Sequence, residues 1–392
     1  MQIAFISPSF YPAFYYGGPI FSSYNSAKEF AKLGINVYVT TTNINGKEKL
    51  DIETNRFMKK EENLFIKYHS LATSNGFSPL MLIGLWKDIS ASDLVYTQSV
   101  FSTTTFFALL YSYLLKKPVL FSPRGQLGEW CLKSGSRFKK LWLKYFIRPF
   151  VYKINWHVTS KQEKKEVEAL YPGVRINVIP NGIDSQEYKD VSQIKNKKYF
   201  RKYIPHIKET SKVIVSMGRL HSKKGFDILI DAFIKLREDN SDSFLLIAGE
   251  DYGEKKNLLD IIHNKGLTGN VFLAGQINDT IEKVSFLANA DVFALASHNE
   301  NFGIVYAEAL AAGTPIVASK NTPWQEVENF QCGKWVENTA SEFSKAIIDL
   351  YSRESKTLSI NAKKLAAKYY WPHIALNFKD VFYKIINGSN EV

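Results

Sequence analysis

The chain has 392 residues, 45% hydrophobic and 22% charged, which is enough apolar content for two or three domains with cores of their own. Its only cysteines, Cys131 and Cys332, lie far apart in sequence, which excludes a disulfide framework and a cysteine metal cage and fits a reducing compartment. The net charge of +12 is local: residues 1–185 hold 23 basic against 13 acidic side chains, residues 186–392 hold 27 against 25, and Lys116–Lys165 alone holds 13 against 2.

The opening MQIAFISPSF has no basic leader region and is expected to be a first strand. Further strands are expected at Asn36–Thr42, Leu64–Ser70, Leu94–Gln98, Val119–Ser122, Asn155–Thr159 and Asn177–Ile179. Helical stretches at Phe21–Leu33, Phe101–Leu115 and Ser136–Tyr152 lie between them. Such alternation predicts right-handed βαβ units and a parallel sheet. The uncharged run Leu94–Leu115 is interrupted by Gln, Ser and Thr and is read as strand, turn and buried helix, since a membrane span needs about 20 predominantly apolar residues.

VIPNGID, Val178–Asp184, closes this half, and the Lys-rich stretch Ser185–Ser211 is taken as a linker. Alternation then restarts with VIVSMGRL, FLLIAGE, NVFLAG, DVFALAS and PIVAS. The expected division is an α/β domain over residues 1–185, a second over 186–370, and a helical segment, 371–392, that returns to the first.

Three loops carry chemistry. In MGRLHSKKGFD, Arg219 and Lys224 follow a strand and precede a helix, where parallel sheets bind ligands; a guanidinium fork beside an ammonium suits a diphosphate. Alone, the pattern equally describes surface cations. In HNENFGIVYAEALAAGTPIVAS, Glu300 and Glu308 flank a turn, and Asn301, Phe302 and Gly303 bring backbone N–H groups to a helix start, which favours anions and oxygen-rich ligands. Carboxylates also accept from vicinal diols, although each acid alone is ordinary helix chemistry. In SPSFYPAFYYGGPI, the Gly17–Gly18 pair allows close backbone approach, without the G-x-G-x-x-G of a dinucleotide fingerprint.

In this order, the Gly-Gly loop, VIPNGID, SMGRLHSKKGFDILIDAF, LLIAGE and ENFGIVYAE with EALAAGTPIVAS resemble the family-4 retaining glycosyltransferases of the GT-B fold over nearly the whole chain. The resemblance implies an α/β architecture of two Rossmann-like parallel-sheet domains facing a central cleft. It implies a UDP- or GDP-sugar donor held mainly by the second domain, with Glu308 on the ribose, Glu300 at the transferring sugar, Arg219 and Lys224 on the diphosphate, and Gly17–Gly18 facing it. It further implies transfer with retention of anomeric configuration, to a lipid-linked or glycan acceptor. No acidic metal cage stands out in the sequence, so no metal or other cofactor is expected.

Two departures accompany the resemblance. In VLFSPRG, the place in the loop after the strand where many members carry His is held by Arg124 of Ser-Pro-Arg-Gly, whose location as an acceptor or sugar contact is carried over without the histidine role. After PIVAS the family's frequent Gly-Gly is replaced by KNTPWQEV, so Pro323 and Trp324 are expected to alter the pocket beside the donor sugar.

Trp130–Trp156 interleaves Lys and Arg with aromatics. Peripheral contact with an anionic membrane, at the cytoplasmic face, is expected there; a helix that buries its aromatics and solvates its lysines explains the pattern equally. No nucleic-acid module accompanies the basic residues, so no nucleic-acid partner is expected. The competing readings are an epimerase or phosphorylase on the same fold, and a non-catalytic sugar-nucleotide-binding subunit of a polysaccharide assembly complex.

Overall fold

The computed structural model describes residues 1–71, 78–133 and 137–388. The chain divides into two units, Met1–Gly182 joined by the segment from Trp371 on, and Ile183–Tyr370.

The first unit is built on β1 (Gln2–Ile6), β2 (Asn36–Thr42), β3 (Met58–Glu61), β4 (Leu64–His69), β5 (Leu94–Gln98), β6 (Val119–Ser122), β7 (Asn155–Val158) and β8 (Arg175–Val178). Their order is β8-β7-β6-β5-β1-β2-β4-β3. All neighbours are parallel except β3 on β4. Parallel strands are covered on both faces, which is why all five residues of β5 are buried and the sequence reads as continuous apolar runs. The edge strand β3 escaped sequence reading because MKKE has no apolar alternation to show.

Helices α1 (Gly18–Lys32) and α2 (Thr103–Leu114) follow β1 and β5. The closing helix Trp371–Ile386 buries Trp371, Ile374, Ala375, Phe378, Phe382 and Ile385 at helical spacing. Its Phe378 and Phe382 rings lie 5.0 and 5.2 Å from Phe30 of α1, all within the first unit.

The helix expected over Ser136–Tyr152 is not one helix. Arg137–Trp142 is α-helical, Leu143–Ile147 forms a single wider π-type turn, and the chain then leaves helical geometry. Pro149 accounts for the ending: it has no N–H to continue the ladder, although Arg148 before it keeps right-handed helical angles (φ −51°, ψ −35°). Residues 134–136 lie outside the described residues.

The second unit contains β9 (Lys212–Met217), α3 (Phe226–Asp239), β10 (Ser243–Ala248), β11 (Val271–Gly275), α4 (Thr280–Ala288), β12 (Val292–Leu295), α5 (Ile304–Ala311), β13 (Ile316–Ser319) and β14 (Gly333–Val336). All strands are parallel, in the order β11-β10-β9-β12-β13-β14. This is the doubly wound arrangement, and its winding reverses between β9 and β12.

The stretch taken as a linker, Ser185–Ser211, is part of this unit. It forms short turns at Ser185–Tyr188, Val191–Ile194 and Lys197–Lys202, with Phe200 and Ile204 fully buried. Its lysines hid two core anchors from a composition-based reading. Among the described residues no helix is long and apolar enough to cross a membrane.

Candidate active site

Ligands of doubly wound sheets bind beyond the carboxyl ends of the strands where the winding reverses. In the second unit that place is shared by the loops leaving β9 and β12, and the structure brings two of the sequence-selected residues together there. Lys224 follows β9 and pairs with Glu300, which follows β12. The pair is largely shielded, the side chains being 17% and 12% exposed. Ser297 donates to Glu300 Oε1 at 3.0 Å.

The local backbone explains this meeting. Ser222–Lys224 forms one tight turn whose N-cap, His221, accepts from the Lys223 N–H at 3.0 Å. The turn ends at Gly225 in the left-handed region (φ 62°), where a Cβ would be driven into the Ala296 carbonyl oxygen. The turn thus lies directly on the end of β12, and the His298 N–H donates to the Lys223 carbonyl at 2.9 Å. Lys224 then crosses the face of Gly218, where an added Cβ would sit 3.3 Å from Lys224 Cε. Arg219, next to Gly218, is exposed and stacks its guanidinium 5.0 Å from the Tyr252 ring centroid. The two cations therefore flank one strand end.

Burial opposes the charge of Glu300, but the Lys224 ammonium overrides it, with help from Lys223 and Ser297, and holds the carboxyl below its usual range. Glu300 is anionic at neutral pH. Gly303 starts α5 with φ 73°, and a Cβ there would meet the Tyr306 ring at 2.7 Å, so this helix start requires glycine. Phe302 contributes backbone only: its side chain is buried against Trp324 and Tyr369, with ring centroids 5.3 and 5.5 Å away. Asn301 is half-buried in the same turn.

Glu308 lies in the second turn of α5, about 6 Å along the axis from the helix start. Lys283 of α4 bridges it, at 2.7 Å, to Glu187, at 3.2 Å. Burial disfavours the Lys283 charge, yet the two carboxylates outweigh this and hold it above the ordinary lysine range. Sequence reading missed Lys283, Glu187, Ser297 and Tyr252. Lys283 is 25 residues from Glu308 and 96 from Glu187, so no local spacing announces the bridge.

Trp324 is 1% exposed and donates its indole N–H to the Phe302 carbonyl at 2.6 Å, between the Phe302, Tyr306 and Tyr369 rings. Trp324 therefore anchors the turn carrying Asn301–Gly303 from the core side, and the expected change in the pocket beside the donor sugar would act through that turn.

In the first unit the winding reverses between β1 and β5. Gly17, with φ 67°, caps α1, and a Cβ on either Gly17 or Gly18 would touch nothing within 4 Å. Arg124 follows β6 and has φ 53°. It donates to Gln98 Oε1 at 2.8 Å, Asn181 Oδ1 at 3.0 Å and the Tyr96 hydroxyl at 3.3 Å. His157 continues this network through Tyr96 at 3.0 Å and the Ile179 carbonyl at 2.9 Å. Burial first, and Arg124 second, lower its pKa to about 3, so it is neutral. Asn181, within the VIPNGID stretch that closes the first half, is thus a partner of Arg124.

The Trp130–Trp156 stretch divides its aromatics. Trp142, Phe150 and Trp156 are buried, and the Trp142 indole donates to the Val100 carbonyl at 2.9 Å. Phe138, Leu141, Tyr145 and Tyr152 are more than half exposed, beside Lys140 and Lys144.

Residues 16–187 match the profile of Glycosyltransferase Family 4, and residues 199–365 match that of Glycosyl transferases group 1. The uncharacterized glycosyltransferase MJ1607 of Methanocaldococcus jannaschii is 34% identical over 234 residues, covering 57% of this chain and 58% of the relative. The lipopolysaccharide 1,2-N-acetylglucosaminetransferase of Salmonella typhimurium is 27% identical over 240 residues, 57% of this chain and 60% of the relative. The chain thus spans little more than half the length of these relatives. The crystal structure of Anabaena Alr3699/HepE in complex with UDP superimposes with a TM-score of 0.75 at 20% identity, covering 98% of this chain and 100% of that one. The structure of WaaG, a glycosyltransferase involved in lipopolysaccharide biosynthesis, gives 0.67 at 18% identity, covering 97% and 99%. At these identities the superpositions speak for the fold, and the two profiles, which between them take in most of the chain, speak for the family: the chain belongs to the family-4 glycosyltransferases (glycosyl transferases group 1) of the GT-B fold.

Proposed function

We propose that the protein is a retaining, metal-independent hexosyltransferase. It moves a sugar from a UDP- or GDP-sugar to a lipid-linked or glycan acceptor during assembly of a cell-surface polysaccharide such as O-antigen, capsule or exopolysaccharide. The observation that carries this reading is the cluster at the winding reversal of the second unit: Arg219 and Lys224 at one strand end, Glu300 at the next, and Glu308 one helix turn beyond. The relatives add support, since they include the Salmonella transferase above and a GDP-mannose-dependent phosphatidylinositol dimannoside mannosyltransferase of Mycobacterium tuberculosis, 30% identical over 166 residues, 42% of each chain.

In this reading Arg219 and Lys224 receive the diphosphate. As the anomeric C–O bond breaks, negative charge grows on the departing phosphate oxygen, and cations fixed there stabilise the transition state more than the ground state; one such donor contributes about 3 kcal/mol. The incoming phosphate competes with Glu300 for Lys224, and the freed carboxylate faces the sugar as positive charge develops on it. Glu308, oriented by Lys283, accepts from the ribose hydroxyls. The acceptor oxygen attacks from the face the leaving group vacates, a leaving phosphate oxygen takes its proton, and configuration is retained. Fixed side-chain cations supply the charge that a divalent ion supplies elsewhere, hence the expected independence of metal. Gly17 and Gly18 are assigned as donor contacts and Arg124 as an acceptor or sugar contact on the family resemblance, and the open space around both glycines is compatible with the first of these. The exposed Phe138, Leu141, Tyr145 and Tyr152 with their neighbouring lysines are assigned to an anionic membrane surface at the cytoplasmic face.

The test is a thermal-shift screen of UDP- and GDP-sugars followed by nucleotide-release and transfer assays with and without a chelator. Stabilisation by about 2.7 kcal/mol at a ligand concentration one hundred times Kd, with turnover insensitive to the chelator, is expected. Binding without any release or transfer would move the protein to the non-catalytic subunit class, and chelator-abolished turnover would end the metal-independent mechanism.

A further inference from the structure

At the amino ends of the strands of the first sheet, where β6 and β7 begin, lies a hollow of about 380 Å³. Its wall is apolar: Leu109 of α2, Phe150, Ile154 and Ile385 of the closing helix are all buried side chains that line it. Its remaining lining includes three lysines, Lys116, Lys117 and Lys153, and no acidic residue among the described residues. Lys117 is engaged, donating to the Ser92 carbonyl at 2.7 Å. Lys153 lies 3.9 Å from the Tyr113 ring centroid, and Lys116 is exposed. Lys116 also ends α2 in the left-handed region (φ 54°), where glycine is the least strained residue. Tyr113, more than half exposed, also lines the hollow, and Leu114 and Tyr152, likewise more than half exposed, stand in the chain beside lining residues.

We propose that this hollow is a binding site for an anionic phospholipid, with the phosphate between Lys116 and Lys153 and the first part of an acyl chain against Leu109, Phe150, Ile154 and Ile385. A free anion would gain nothing from the apolar wall, and a neutral apolar ligand nothing from the cations; a molecule carrying both parts complements both. The adjacent exposed Tyr113, Leu114 and Tyr152 are amphipathic or apolar groups suited to the headgroup layer. The site deepens the membrane-contact part of the proposed function and rests on that part alone, not on the transfer chemistry.

The experiment is calorimetric titration of the full chain with dihexanoyl-phosphatidylglycerol below its micelle concentration, with dihexanoyl-phosphatidylcholine and inorganic phosphate as separate arms. Saturable binding of the anionic lipid is expected, weakened about tenfold or more in Lys116→Gly/Lys153→Gln, which removes two exposed cations and relieves the backbone at one of them. Phe138→Ser/Tyr145→Ser should leave this binding intact while reducing flotation with anionic vesicles. Equal affinity for phosphatidylcholine would overturn the headgroup assignment, and equal affinity for inorganic phosphate would overturn the lipid. Flotation that persists without monomeric lipid binding would overturn the hollow and leave the surface contact standing. Lipid-independent dimerisation lost in the lysine variant would assign the hollow to a second copy of the chain and overturn the proposal likewise.

Discussion

Arg124 in the first unit and Lys224 in the second both follow the carboxyl ends of parallel strands, and their partners are opposite in kind. Lys224 is matched by a carboxylate, Glu300, just as Lys283 is matched by Glu308 and Glu187. Arg124 is held by neutral oxygens of Gln98, Asn181 and Tyr96. An acid-matched cation exchanges partners when an anion arrives, because the ligand replaces a charge already in place. A cation fixed by a neutral cage keeps its geometry, and its field adds to the burial that chiefly depresses the pKa of His157. At these two strand ends, then, the second unit presents a cation whose partner an anion can replace, and the first presents one held in place.

The sharpest way to break this contrast is at the exchangeable pair and the arginine beside it. Glu300→Ala and Arg219→Ala should each lower kcat/KM for sugar transfer by about 100- to 1000-fold, with the fold retained by circular dichroism. Wild-type-like turnover by either variant would remove these residues from the chemistry.

Acid should separate the units next. His157 and His69 are buried and their pKa values fall from 6.5 to about 3 and about 4. Each stays neutral in the fold and gains a proton on unfolding, so stability is lost as pH falls below 6.5 toward those values. At pH 5 the loss is about 2 kcal/mol for each histidine, both in the first unit. Burial lifts the Glu163 carboxyl above its usual range and offsets part of this. Glu300, held below its ordinary 4.5, contributes stability that is lost only at lower pH. Segment-resolved hydrogen exchange at pH 7 and pH 5 should show the first unit loosening first; equal loosening in both would refute the histidine assignment.

The glycines give a third comparison. Gly225→Ala forces a side chain into the Ala296 carbonyl at positive φ and should cost about 3 kcal/mol by denaturant titration. A smaller effect is expected at Lys283→Met, which leaves Glu308 without its ammonium partner and should weaken nucleotide affinity about tenfold, raising KM more than it lowers kcat. Rescue by Lys283→Arg would confirm a positioning role. Smallest is Gly18→Ala, with open space around it and ordinary φ: stability should change by less than about 0.5 kcal/mol. Any larger loss of donor affinity there would mark close approach of a ligand to this backbone.

Much of the fold was legible because strands buried on both faces leave unbroken apolar runs, as in IAFI, FLLIA and VFAL. Strand β14, GKWV, was not, since an edge strand with glycine and lysine carries no such signal. Lys224 and Glu300 were readable as loop residues after strands, but not as a pair. Trp324 was readable as a residue beside the ligand loop, but a large aromatic there fits a pocket wall and a core anchor equally well in sequence, and only packing tells them apart.

The sequence by itself determined where strands and helices alternate, which loops hold the cations, acids and glycines, and that positive charge gathers in the first half. Those properties follow from local periodicity and composition. Which strands neighbour one another was decided only by the tertiary structure, and with it the reversal between β9 and β12 that joins Lys224 to Glu300 across 76 residues. Charge pairing depends on distance in space, and no pattern along the chain encodes a distance that the winding of the sheet creates.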